Sequence, residues 1–167
     1  MIDGLLWSLV LAIRGTGLHG VVSQSAWMWA ALESLHFIGL SLLIGTVGMF
    51  DLRLLGFARH VPVVALHRLI PIGIAGFTLN ATTGVLFLSG FPEQYFFNAA
   101  FRVKMALILM AGFNVLFFYG RVFRRLEALE PGDQLPLAAR VTGGVSLCAW
   151  IGVMCAGRLL TFFRPPF

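Results

Sequence analysis

The sequence predicts an all-α membrane protein: an antiparallel four-transmembrane-helix bundle preceded by a short interfacial N-terminal helix. Three observations predict it. Of 167 residues, 59% are hydrophobic and only 11% charged, against about 25% charged in an average soluble domain. The mean hydropathy is +0.90, and the apolar residues gather into four runs able to cross roughly 30 Å of hydrocarbon. Sixteen Phe and nineteen Gly suit helices packed closely in lipid. The whole chain, 1–167, reads as a single integral membrane domain.

The first element spans about 3–14. It offers only about ten apolar residues before Arg14, too few to span. Asp3 stands where a signal peptide would be basic, and no small-residue cleavage site follows. The segment is therefore expected to lie in the interface, followed by a turn built on Gly15, Gly17 and Gly20.

The four spans are expected at about 27–50, 69–88, 99–119 and 141–163. Between the last two, Glu127 to Pro136 is the one clearly water-loving stretch, with Pro131, Gly132 and Pro136 as breakers. Short connections make successive spans antiparallel neighbours.

Charge sets the orientation. Arg53, Arg59, Arg68, Arg121, Arg124, Arg125 and Arg140 flank the connections on one side, seven of the twelve basic residues. That side is expected to be cytoplasmic, in a bacterial inner membrane, with both termini on the periplasmic side. Arg14, Arg102 and Arg164 lie near the opposite boundary, and Lys104 and Arg158 lie deeper. The net charge of +5 thus reads as membrane orientation, with no nucleic acid partner implied. Cys148 and Cys155 fall seven apart in one run, about two helical turns. That is too far for a disulfide, so both read as packing residues.

One layer of polar residues carries the functional reading. His36, the pair Thr82 and Thr83, Lys104 and Arg158 each lie some five to nine residues inside the same membrane face. At 1.5 Å per residue their depths agree within roughly 6 Å. Ionisable groups in hydrocarbon are costly and usually face a bundle interior or a site. Helical spacing adds stripes to this layer. Gly73, Gly76, Asn80 and Thr83 share a face, as do Lys104, Leu107, Ala111 and Asn114. Gly144, Cys148, Ile151, Cys155 and Arg158 align on the last span, and His36 and Gly39 on the first, with Ser41, Gly45 and Gly48 nearby. Small residues allow close packing or leave room for a flat cofactor.

A neutral imidazole in such a bundle is a natural iron ligand, and guanidinium groups suit heme propionates. His36 is the candidate ligand of a heme b, with Arg158 and Arg102 balancing charge and His19 as a candidate second ligand. The alternative is that His36 holds helices together by a hydrogen bond, and that His19 is simply solvated. Glu33 and His36 form one E-x-x-H spacing, where a di-iron bundle needs two. Glu33 is expected near the surface, orienting His36 or pairing with Arg102. His60 and His67 have no histidine on another span at their depth, which argues against a second heme. Asp51 and Arg53 are expected to pair locally or meet lipid headgroups. Met105, Met110 and Met154 read as packing rather than copper ligands. No nucleotide-binding, hydrolase or zinc-protease motif occurs in its required context.

Glu33 to Gly45, ending in Asp51-Leu-Arg53-Leu-Leu-Gly56, resembles an uncharacterised bacterial family of small four-helix membrane proteins, a domain of unknown function. So do Phe101 to Asn114 and Trp150 to Arg158. More distantly, the layout is similar to HemJ-type protoporphyrinogen oxidases and CopD membrane domains. The HemJ resemblance implies a functional pair, here His36 and Lys104, and a bound heme b. The chain departs from that pattern at Glu33, Asn80 and Arg158, and continues past its last span with Arg164-Pro165-Pro166.

The expected function is that of a membrane b-type heme protein. It would pass electrons between a periplasmic-side partner and quinone or another redox protein. The residues expected at the cofactor are His36, Lys104, Arg158, Arg102, Asn80 and Thr83. The alternatives are a HemJ-like porphyrinogen oxidase, a copper or small-solute transport subunit, and a structural subunit of a larger membrane complex.

Overall fold

Each long apolar run closes its own backbone hydrogen bonds, because hydrocarbon offers none. In the computed structural model, which describes residues 2–126 and 134–163, this gives nine α-helices among the described residues. The helix expected at the interface is α1 (Ile2–Arg14), followed by α2 (Gly17–Gln24). The first span is α3 (Ala26–Leu55), thirty residues long. A short α4 (Val63–His67) leads into α5 (Ile70–Gly90), and α6 (Pro92–Phe96) connects to α7 (Ala99–Phe117). The third span continues through a π-helical turn, Phe118–Val122, into α8 (Phe123–Leu126). The last span is α9 (Leu137–Leu159).

Four helical stretches are long and apolar enough to cross a membrane: Trp27–Leu55, Val63–Gly90, Ala99–Leu126 and Leu137–Leu159. The chain is an all-α, multi-pass membrane bundle. Most of the expected Glu127 to Pro136 loop, and Arg164 onward, lie outside the described residues.

The expected glycine turn after Arg14 is instead largely helical. Thr16 caps α2 by accepting from the His19 backbone N–H, and α2 meets α1 at 80°. Tertiary contact outweighs the poor helix propensity of glycine here, since Val22 of α2 is buried against Gly90, where a Cβ would stand 2.7 Å from Val22 Cγ1. The α1–α2 elbow is tied down by an ion pair from Arg14 to the buried Glu93 of α6.

Helices α3 and α9 form the central pair. Helix α5 packs on α3 and α7 packs on α9, while α5 and α7 do not pack along one another. Glycines bring α3 and α5 together: Gly73, Gly76 and Gly39 are all buried in their contact. One end of the bundle closes on Phe50, Leu54, Phe118, Val122 and Ala139. The basic residues flanking the connections lie at this end. Asp51 and Arg53, expected to pair locally or meet headgroups, are both buried there. Arg53 folds back onto the connection, donating to Val61 O at 2.6 Å and Arg59 O at 3.2 Å. Asp51 reaches across to a hydrogen bond with Ser146 of α9.

Candidate functional site

His36 lies on the interior of α3. Gly39 and Thr46, one neighbouring side of that helix, meet α5, while Asp51 and Leu54, on the other, meet α9. The imidazole falls between these faces and is half-buried. Its Nδ1 is 2.7 Å from Thr83 Oγ1. The Thr83 hydroxyl has one proton, and Leu79 O lies 2.8 Å away, one turn back on the same helix. With that proton given to Leu79 O, the oxygen accepts from Nδ1–H. This pattern corresponds to the Nδ1–H tautomer, in which Nε2 keeps its lone pair.

The ring is held from two other directions. Phe87 meets it edge-on at 5.6 Å. Asn80 donates to the His36 carbonyl at 3.2 Å and to Gly76 O at 3.4 Å. The carbonyl of residue 36 would ordinarily serve only its own helix, so this extra bond ties the His36 turn to α5. Asn80, Thr83 and Phe87 follow each other at helical spacing, so one face of α5 orients the histidine.

Lys104 approaches the same interior from α7. Its charge is felt at His36, and its Nζ would lie 3.8 Å from a Cβ at Gly157 of α9. Lys104 Nζ thus lies beside Gly157 at ordinary contact distance. Among the described residues, Lys104 has no hydrogen bond or ion pair. Aromatic rings continue the wall below, where Phe77 of α5 meets Trp150 of α9 at 6.1 Å.

Other expected members of the layer lie elsewhere. Arg158, Cys148, Ile151 and Cys155 are exposed, so that face of α9 is turned outward. Its inward face carries Ala139, Thr142, Gly143, Ser146, Ala149, Val153 and Ala156 instead. Arg102 and Thr82 are also exposed, and Glu33 is exposed without pairing to Arg102. His19 sits on α2, its Nδ1–H donating to Ser89 O at 2.9 Å. Ser89 is six residues beyond Thr83, about 9 Å along α5, so His19 and His36 are not brought together. No group of three or more His, Cys, Asp or Glu side chains gathers as a metal site among the described residues.

Two asparagines join α7 to α9: Asn98, which carries no sequence signal of its own, and Asn114, which lies on the Lys104 face read from spacing. Asn98 is fully buried, caps α7 by accepting from the Ala100 N–H at 2.9 Å, and donates to Leu160 O of the last span at 3.0 Å. Asn114 donates to Thr142 O at 2.9 Å. Together they fix α7 on α9 and so set the height of Lys104.

The sequence model of the family of unknown function DUF6644 matches residues 15–163, which include α2 and every span. The chain belongs to this family. The DUF6644 match thus covers His36, Asn80, Thr83 and Lys104 and begins directly after α1. No curated protein and no solved structure matches the chain.

Proposed function

We propose that this DUF6644 protein is a b-type heme protein of the bacterial inner membrane, with His36 Nε2 as a ligand to the iron. The observation that carries this reading is the anchored imidazole. A metal-ligating histidine almost always gives its other N–H to an acceptor that fixes tautomer and orientation, and Thr83 is such an acceptor for His36 Nδ1–H. The donor set fits the group in two further ways. The unpaired Lys104 ammonium supplies a partner for a propionate, and Phe87 supplies an aromatic wall beside the ring. Bound there, a heme supplies a one-electron carrier.

The chain's own residues do the rest. His36 holds the iron, Thr83 and Asn80 hold His36, and Lys104 balances negative charge in hydrocarbon. Arg102 and Arg158, at the surface of the same membrane half, balance charge at its edge. Electrons would pass between a periplasmic-side partner and a second partner, quinone or another redox protein. The arginine-rich end faces the cytoplasm in this reading, by the positive-inside rule, and both termini face the periplasm.

The test is purification in mild detergent from heme-replete cells, followed by oxidised and dithionite-reduced spectra. A Soret band with reduced α and β bands, near one heme per chain, is expected, with complete loss in His36→Ala. A colourless wild-type protein, or an unchanged spectrum in His36→Ala, overturns the assignment.

A further inference from the structure

A second cluster lies at the opposite end of the bundle from His36. His67 closes α4, and its Nε2 is 2.9 Å from the Tyr119 hydroxyl. The imidazole ring lies 4.4 Å from Phe123 and 6.0 Å from Phe50. Tyr119 also meets Phe118 at 5.3 Å and Phe123 at 5.4 Å. Three helical segments therefore converge on one polar pair wrapped in rings.

The backbone there is unusual on both sides. Helix α4 ends at His67 and the regular α5 resumes at Ile70. Opposite this break, Tyr119 sits in the π-helical turn. Such turns are rare and frequently mark functional sites. The wider turn sets Phe118 inward, 6% exposed, and leaves Tyr119 39% exposed at the surface of the span. The next residue, Gly120, is also exposed, and a Cβ there would meet nothing within 4 Å, so the surface of the span is open at this turn.

The pair has a proton to offer outward. With the His67 Nε2–H donating to the phenol oxygen, the Tyr119 O–H is free to turn toward the lipid. A hydroxyl donor at the edge of hydrocarbon, backed by an imidazole and flanked by aromatic rings, matches a flat apolar ring bearing carbonyl oxygens. A plain acyl chain would have no use for the donor. A headgroup phosphate would be drawn to the exposed Arg68, Arg121, Arg124 and Arg125 beyond it.

We propose that His67 and Tyr119 form a binding site for an isoprenoid quinone, reached sideways from the bilayer. Tyr119 donates to one ring carbonyl, His67 supports the phenol from behind, and Phe123 lies against the quinone ring. The isoprenoid tail remains in lipid alongside the third span. The site is distinct from the His36 site: Phe50, which touches His67, is fourteen residues from His36 along α3, about 21 Å. The proposal names the second partner in the electron-transfer reading and rests on that reading for its purpose, whereas its binding test does not.

The test uses the full-length protein in lipid nanodiscs, titrated with tritium-labelled decylubiquinone, with empty nanodiscs subtracted. A saturable component near one per chain is expected. Tyr119→Phe should weaken it at least fivefold and His67→Gln by a comparable factor. Phe113→Leu, on a lipid-facing part of α7 outside the cluster, should leave it unchanged. Absence of a saturable component in the wild type, or wild-type affinity in both Tyr119→Phe and His67→Gln, overturns the proposal. The absorption spectrum of the same samples separates the two assignments. Saturable binding by a colourless protein upholds the quinone site and removes the heme, while a coloured protein without saturable binding does the reverse.

Discussion

Gly39 of α3 and Gly76 of α5 meet backbone to backbone. A Cβ on Gly39 would stand 2.9 Å from Gly76 O, and a Cβ on Gly76 would stand 2.7 Å from Gly39 O and 2.8 Å from Leu43 N. These atoms belong to main chain and cannot swing aside. The contact sets the spacing between two helices, and the His36 hydrogen bond to Thr83 depends on that spacing.

Gly76→Ala should therefore force α3 and α5 apart and destabilise the bundle by about 1–3 kcal/mol, the usual cost of overpacking. Gly112→Ala is the matched control, since a Cβ there meets nothing within 4 Å. It should be neutral or gain up to about 1 kcal/mol from helix propensity. Denaturant unfolding in detergent, followed by circular dichroism, measures both. Equal stability of the two variants would contradict the close contact.

Thr83 should matter to heme retention through its hydroxyl alone. Thr83→Val keeps the shape and removes the acceptor for His36 Nδ1–H. Loss of such an outer hydrogen bond typically weakens metal binding by about 10–100-fold. Thr83→Ser keeps the oxygen and should retain heme close to wild type. Heme stoichiometry after washing with a competing apo-protein reads the difference. Equal retention in the Val and Ser variants would separate Thr83 from the ligand.

Asn98 combines two roles that substitution can part. Asn98→Ala removes the cap of α7 and the bond to Leu160 O, for an expected loss of about 2 kcal/mol. Asn98→Asp keeps a capping oxygen and loses the donor, leaving two acceptors facing each other near residue 160. Thermal unfolding should rank wild type above both variants. Hydrogen exchange at the end of α9 should rise in both, while exchange at the first turn of α7 should rise only in the Ala variant. A protected α9 end in Asn98→Asp would refute the division of roles.

How much of this was legible depended on whether a residue's neighbours repeat along its own helix. The face Gly73, Gly76, Asn80, Thr83 reads directly from helical spacing, and the structure buries Gly73, Gly76 and Thr83, with Asn80 half-buried. The matching stripe on α9 was misassigned for a physical reason. In lipid, the outside is as apolar as the inside, so small size was the only guide, and glycine or cysteine serves on either face. The inward face of α9 is equally small, with Ala139, Gly143, Ser146 and Ala149. Arg158 lies on the outward face of α9 and is exposed. Asn98 was invisible because its partner, Leu160 O, is 62 residues away and is a backbone atom. Helix α2 was hidden by its glycines, whose propensity cost is met by contact with α5.

The pairing of α3 with α5 and of α7 with α9 also bears on how the chain comes to be assembled. Each pair is consecutive in sequence. Four side chain bonds between spans fall within these pairs, His36 to Thr83 and Asn80 to His36 O in the first, Asn98 to Leu160 O and Asn114 to Thr142 O in the second, while His67 to Tyr119 and Asp51 to Ser146 join one pair to the other. Each hairpin can thus satisfy buried polar groups on leaving the insertion machinery, without waiting for the other. Packing of preformed transmembrane helices then completes the fold. The late step is the docking of α3 on α9, where Asp51 meets Ser146. A lesion at that surface would leave both hairpins inserted in the membrane and the protein unassembled.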